Sequence, residues 1–126
     1  MIKLFLKNMT VMEVFTYTYH RFIHNFDFHN DHHKNPKINN KLFYGDCISG
    51  ITYSTFGYMT NTMKPAILYW SLATVTHPII HTYEIKLWPF SYIQKRHEQH
   101  HLNPKTKFGP VTPICDIIFG TEYDLP

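Results

Sequence analysis

Ten histidines carry most of the chemistry that this sequence offers, and they fall into four short boxes. The boxes read HRFIH (20–24), HNDHH (29–33), HPIIH (77–81) and HEQHH (97–101). The second and fourth share a longer pattern, H-x-x-H-H-x-N-P-K, in residues 29–37 and 97–105. The ten residues are His20, His24, His29, His32, His33, His77, His81, His97, His100 and His101.

The spacing inside each box suits metal binding by helices. Positions i, i+3 and i+4 lie on one face of a helix, about 5–6 Å apart, so each box aims two or three imidazoles at one point. Neutral imidazole is a ligand for iron, zinc, copper and nickel, and one ion takes about four to six donors. Ten donors are too many for one ion. The sequence therefore predicts two neighbouring metal ions, with all ten histidines as ligands or beside them.

Three other interpretations explain less. Histidines packed together without metal would be costly, because some must become charged or lose partners as the pH falls. HEQHH also matches H-E-x-x-H of zinc hydrolases, with Glu98 as the base, but Pro104 interrupts the helix and no histidine follows His101. A carboxylate di-iron bundle needs two Glu-x-x-His pairs, and Glu98 with His101 is the only one.

The boxes must be positioned by secondary structure, and the pattern favours helices. Helices are expected over 9–22, around 29–33, over 65–86 and over 91–102. Pro36 and Pro104 should stop the second and fourth, because the residue before a proline disfavours the helical conformation. Pro65 suits the first turn of the third helix, and Pro78 would lie inside it and kink it.

Two further segments have no histidine. Residues 42–62 can form a helix or a hairpin, and their β-branched and aromatic content favours strand. The Gly- and Pro-rich tail, 107–126, should wrap around the site instead of forming one element. Together these expectations give a single mainly α domain, 1–126, built as a compact helical bundle.

Composition narrows the class of protein. The net charge is +3, and the basic residues accompany the histidine boxes and form no continuous stripe, so nucleic acid is not expected as a partner. Cys47 and Cys115 are far apart and belong to no C-x-x-C motif, which favours a reducing compartment.

Two stretches raise the question of a membrane. Residues 65–80 and 41–59 are apolar, but neither is long and apolar enough to span a bilayer alone. Their Tyr and Trp residues suit the bilayer interface, and the cations beside the boxes suit a cytoplasmic face. Partly membrane-embedded helices are therefore expected.

Taken in order, the four boxes resemble those of the fatty acid hydroxylase/sterol desaturase superfamily, and fatty acid 2-hydroxylase-like members in particular. TVTHPIIH (74–81) is similar to their third box, and HEQHHLNPKTKFGPVTPICDIIFGT (97–121) to their last box with its trailing segment. By this comparison we expect a domain that is shorter than these relatives and that folds without their N-terminal pair of membrane helices. Thr82 stands where many relatives have a histidine, and Cys115–Asp116 stands for their Trp-Asp.

The resemblance implies an oxygenase in an endoplasmic-reticulum-like membrane, with the boxes on the cytoplasmic face. Such enzymes hydroxylate or desaturate a C–H bond of a lipid (a fatty acid, sphingolipid or sterol). They use a histidine-ligated di-iron centre, O2 and electrons from a donor such as cytochrome b5 with its reductase. Zinc is able to occupy the same site. A non-catalytic metal-binding relative and, less favoured, a soluble zinc hydrolase remain as alternatives.

Two groups of neighbouring residues complete the expected site. Carboxylates that could orient imidazole N–H groups are Asp27, Asp31, Glu84, Glu98 and Asp116. Aromatic residues that could line an acyl-chain channel are Tyr17, Tyr19, Phe22, Tyr83 and Trp88.

Overall fold

The computed structural model describes residues 2–35 and 40–123, and within these ranges the chain is helical with no strand. The six helices are α1 (Ile2–Ile23), α2 (Asp27–Lys34), α3 (Asn40–Met59), α4 (Met63–Thr82), α5 (Phe90–Leu102) and α6 (Ile114–Ile118). The prediction of a mainly α fold is confirmed. Each histidine box lies at or near the C-terminal end of a helix, on α1, α2, α4 and α5.

Helix α3 decides between the helix and the hairpin that the sequence left open for residues 42–62, against the local preference for strand. The hydroxyls of Ser49, Thr52 and Thr60 donate to carbonyl oxygens four residues earlier, at 2.7–2.9 Å, so these residues are satisfied inside the helix. Helix α3 also packs closely on α4: a Cβ added at Gly57 would lie 2.7 Å from the Ala66 Cβ. Tertiary packing thus overrides the local strand preference.

Helix α4 contains Pro78 as predicted but ends at Thr82, short of the expected Lys86. The buried Gln94 side chain of α5 explains this end. Its amide nitrogen donates to the carbonyl oxygens of Ile80 and Tyr83, both at 2.8 Å, and its oxygen accepts from the Ile85 N–H. Backbone groups that would have continued the helix are therefore bound by a side chain of α5.

The remaining boundaries agree better with the sequence. Helix α5 follows a turn at the cis Trp88–Pro89 peptide and ends at Leu102, close to the expected 91–102. Helix α1 begins earlier than expected, at Ile2. Helix α2 ends at Lys34, and Pro36, which was expected to stop it, lies outside the described residues.

The core lies where α1 crosses the α3–α4 pair. Met12, Tyr53, Ala66 and Tyr69 are buried there together. The Tyr69 hydroxyl donates to a buried carboxylate oxygen of Glu13, at 2.9 Å.

The tail packs on the other side of α1. Tyr17, Phe108 and Cys115 form a second buried group, and the Phe108 ring lies edge-on to the rings of His20 and His24. As predicted, the tail lies against the histidines, although it includes the short helix α6.

The expectation of membrane-embedded helices receives no direct support. Among the residues that the structure describes, no helix combines the length and the hydropathy that a bilayer crossing requires.

Candidate metal centre

The structure brings all ten histidines together in two adjacent groups of five. Within each group the candidate ligand atoms lie within 4.8 Å of one another. Cluster A consists of His20, His24, His29, His33 and His100, and cluster B of His32, His77, His81, His97 and His101. Their metal-binding role stays a prediction, but the geometric convergence on which it depends is present.

The repeated H-x-x-H-H boxes divide their histidines between the clusters. In the second box His29 and His33 join cluster A while His32 joins cluster B. In the fourth box the division is reversed: His97 and His101 join cluster B, and His100 joins cluster A. Histidines four positions apart belong to the same cluster, and the histidine between them belongs to the other cluster. Each cluster thus holds two H-x-x-x-H pairs and one crossing histidine.

The imidazoles of cluster A meet through their Nε2 atoms. The Nε2 of His29 lies 3.2 Å from that of His20 and 3.0 Å from that of His33. The Nε2 atoms of His24 and His100 are also 3.0 Å apart.

Cluster B repeats this geometry. The Nε2 of His97 lies 2.9 Å from that of His81 and 3.0 Å from that of His101. His32 and His77 meet in the same way at 3.0 Å. Nitrogens about 2.1 Å from one ion and at right angles to each other would be about 3.0 Å apart, so both clusters match the dimensions of a metal site.

Two imidazoles of cluster A have a fixed tautomer. His20 Nδ1 donates to the Phe108 carbonyl oxygen at 2.7 Å, and His100 Nδ1 donates to that of Thr106 at 2.5 Å. A proton held on Nδ1 leaves a lone pair on Nε2, directed at the cluster centre. Several lone pairs facing one another are favourable only if a cation lies among them. The donor chemistry therefore fits a bound metal ion.

Electrostatics keep the imidazoles neutral. Burial, together with the neighbouring His20 and His101, lowers the pKa of His24 to about 3. In cluster B, burial and His101 lower the pKa of His81 to about 4. Neutral imidazole is the form that binds metal, so at neutral pH no histidine has to lose a proton first.

The segment 106–109 carries the carbonyls that orient His20 and His100, and Asp116 holds it. The fully buried Asp116 carboxylate accepts from the Phe108 N–H at 2.8 Å and the Gly109 N–H at 2.7 Å. It also accepts from the Thr121 hydroxyl at 2.7 Å and from Arg96 at 2.9 Å.

Asp116 was expected to orient imidazole N–H groups directly. Instead, it hydrogen bonds to the backbone segment whose carbonyl groups orient the histidines. A Cβ at Gly109 would come within 2.7 Å of the Asp116 carboxylate, so the approach is open only to glycine. Of the other carboxylates expected to orient imidazoles, Asp27, Glu84 and Glu98 are exposed.

The carbonyls of Thr106 and Phe108 were missed from the sequence. A backbone carbonyl has no side-chain signature, and the only available signal was that the segment follows the fourth box directly. An exposed Glu98 also weighs against the zinc-hydrolase interpretation, since the base of H-E-x-x-H must face the ion.

Comparison with known families agrees with this geometry. The family model described as fatty acid hydroxylase matches residues 5–121. The chain belongs to the fatty acid hydroxylase family. Searches of curated proteins and of solved structures found no match. Membership confirms the resemblance seen in the boxes and implies an oxidoreductase of the lipid hydroxylase or desaturase type.

In this fatty acid hydroxylase family member, a cavity of about 390 Å³ adjoins both clusters. It touches His20 and His29 of cluster A, and His32, His77 and His97 of cluster B. Most other lining residues are apolar or aromatic, including Ile23, Phe28, Tyr53, Trp70, Ile80, Phe90, Ile93 and Val111. Its size and lining are typical of a site for a small apolar ligand.

The aromatic residues expected to line a channel are mostly elsewhere. Of the five, only Tyr19 lines the cavity. Tyr17 is buried beside the tail, where its hydroxyl hydrogen bonds with that of Thr121. Phe22, Tyr83 and Trp88 are exposed. Tyr17 therefore has a packing role, and these other three residues neither line the cavity nor lie in the core.

Proposed function

We propose that this chain oxidises an unactivated C–H bond of a lipid at a di-iron centre held by clusters A and B. The observation that carries the proposal is the pair of five-histidine clusters opening on one apolar cavity. O2 would be the co-substrate, and hydroxylation and desaturation are both compatible with such a site.

The histidine ligands alone do not distinguish iron from zinc, so the choice of metal rests on the reaction that is proposed. Imidazole binds iron and zinc alike, and no carboxylate belongs to either cluster. When bound, iron would supply the redox chemistry that acid–base side chains lack, whereas zinc has no redox chemistry.

The chain's own residues have three tasks in this proposal. All ten histidines would hold the ions, and His20 and His100 are oriented for this by the carbonyls of Phe108 and Thr106. The apolar walls would bind the hydrocarbon chain and exclude water. The Phe108 ring, which lies against His20, His24 and His100, covers cluster A.

Two partners follow from the reaction. Electrons would come from a donor such as cytochrome b5 with its reductase. A membrane, endoplasmic-reticulum-like and with the boxes facing the cytoplasm, would supply the lipid. Exposed apolar residues of α4 support contact with a bilayer: Ile67, Leu68, Leu72, Val75 and Ile79.

Metal analysis and lipid profiling together test the proposal. Protein purified without oxygen should contain two iron ions per chain, and fewer than about one and a half would contradict two sites. Cells that express the chain with a reductase should accumulate hydroxylated or desaturated lipid. Full metal loading without such a product would instead favour a non-catalytic metal-binding relative.

A further inference from the structure

One wall of the cavity is polar, in contrast to the rest. Asp46, Ser49 and Tyr53 all line it from α3, and their spacing of i, i+3 and i+7 places them on one face of that helix. Tyr19 lines the same cavity from α1 and lies edge-on to the Tyr53 ring. A carboxyl and a phenol thus share a largely apolar space.

Asp46 is the only carboxylate among the described residues that line the cavity, and these include no lysine or arginine. Burial raises the pKa of Asp46 to about 6, so it is mostly ionised at neutral pH. A partly desolvated anion in such a wall is costly unless a hydrogen-bond donor meets it.

The second polar group is the hydroxyl of Tyr19, which lines the same cavity. It is buried and has no hydrogen-bond partner among the described residues. The hydroxyls of Ser49 and Thr52 lie near it, but both donate to carbonyl oxygens of their own helix. A buried hydroxyl without a partner is rare, and a bound ligand that accepts its proton would remove the cost.

The backbone beneath Asp46 is fixed. Trp70 Nε1 donates to the Asp46 carbonyl oxygen at 3.0 Å. The Trp70 ring also lies so close to α3 that a Cβ added at Gly50 would be 2.8 Å from its Cε2. This turn of α3 is therefore held against α4, and Asp46 lines the cavity from a fixed backbone.

We propose that Asp46 and Tyr19 form a subsite for a hydroxyl group on the lipid substrate, and that this subsite disfavours a free carboxylate. The Asp46 carboxylate would accept the O–H proton, and the Tyr19 O–H would donate to the same oxygen. The hydrocarbon part would then lie along the apolar walls toward the histidines. A fatty-acid carboxylate in this position would meet the like charge of Asp46. The inference rests on the proposed function, since it defines the class of lipid that the cavity binds.

Trp70 allows binding to be measured without turnover. The chain has two tryptophans, and Trp88 is 77% exposed, so Trp88→Phe leaves Trp70 as a reporter in the cavity wall. The metal-loaded protein is kept without oxygen and titrated with brominated lipids of equal chain length: an alcohol, its methyl ether and a fatty acid. Quenching of Trp70 fluorescence gives the Kd of each.

The alcohol should bind about tenfold more tightly than the ether, as expected for a hydrogen bond to a charged group, and the fatty acid more weakly than the alcohol. Asp46→Leu should remove the preference for the alcohol, and Asp46→Asn should improve binding of the fatty acid. Glu84→Gln, which removes an exposed carboxylate elsewhere, is the matched control and should change neither Kd. Unchanged metal content would show that the Asp46 variants fold.

The possible failures are distinguishable. If the three lipids quench Trp70 with equal Kd, the hydroxyl subsite is refuted while the lipid cavity and the proposed function stand. If Asp46→Leu keeps the preference for the alcohol, Asp46 is not the group that recognises it. If no lipid quenches Trp70, the cavity is not the lipid site, and the proposed function fails with the inference.

Discussion

Asp116→Asn tests whether the tail segment 106–109 controls cluster A. The carboxylate accepts four hydrogen bonds, two at each oxygen. In asparagine the remaining oxygen can keep the Phe108 N–H and the Thr121 hydroxyl. The new NH₂ group would instead face the donors of Gly109 and Arg96, so two contacts become repulsive and a buried guanidinium loses a counter-charge.

The expected loss of stability follows from this count. Removing one partner of a buried ion pair costs about 3–5 kcal/mol, because the other charge is left uncompensated. Arg96 keeps its second ion pair, with Glu122, so the lower end of that range is expected, about 3 kcal/mol. Domains of this size unfold with about 5–15 kcal/mol, so the variant should still fold.

Urea unfolding of the metal-free protein measures this loss, and metal titration measures its consequence. Because Phe108 and Thr106 orient two of the five histidines in cluster A, one of the two ions should bind more weakly in Asp116→Asn. The other ion, in cluster B, should bind as in the unaltered chain.

Glu122→Gln is the matched control, since Glu122 contacts the same guanidinium but is 26% exposed. It should cost less than about 1 kcal/mol and leave both ions bound. A loss below about 1 kcal/mol for Asp116→Asn, or equal losses in the two variants, would refute the role assigned to the buried carboxylate.

Three further predictions concern the histidines and their surroundings. His24→Ala and His81→Ala should each lower the metal content from two ions per chain toward one, whereas loss of both ions from either variant would argue against separate clusters. The metal-free protein should lose stability below about pH 6.5, as measured by urea unfolding. Burial lowers the pKa of His20 to about 4 in the folded chain, so the unfolded chain binds more protons as the pH falls. For this residue the loss is up to about 1.4 kcal/mol per pH unit. Glu98→Gln should keep most lipid oxidation, because Glu98 is exposed, and abolished oxidation would show that this residue takes part in the reaction after all.

Much of the site could be predicted because histidine spacing and helix periodicity are local properties. Residues at i and i+4 share a helix face in any context, so convergence of His20 with His24, or of His77 with His81, follows from the sequence. The exchange of His32 and His100 does not, because it depends on how the helices cross.

Other features were unpredictable for related reasons. The segment of α3 was left open between helix and hairpin because its β-branched and aromatic residues favour strand locally, whereas its packing on α4 decides its conformation. The end of α4 is set by Gln94, a residue distant in sequence. The cavity wall near Asp46 depends on three helices at once, and the expected aromatic lining was wrong because exposure is a tertiary property.

The exchange of His32 and His100 has a mechanical consequence for loading. Each ion would be bound by one histidine from a helix whose other histidines belong to the other cluster. Filling either position therefore draws helices α2 and α5 toward each other. A single ion at either position therefore restrains both helices. Amide hydrogen exchange in α2 and α5 should slow together when only one position is filled.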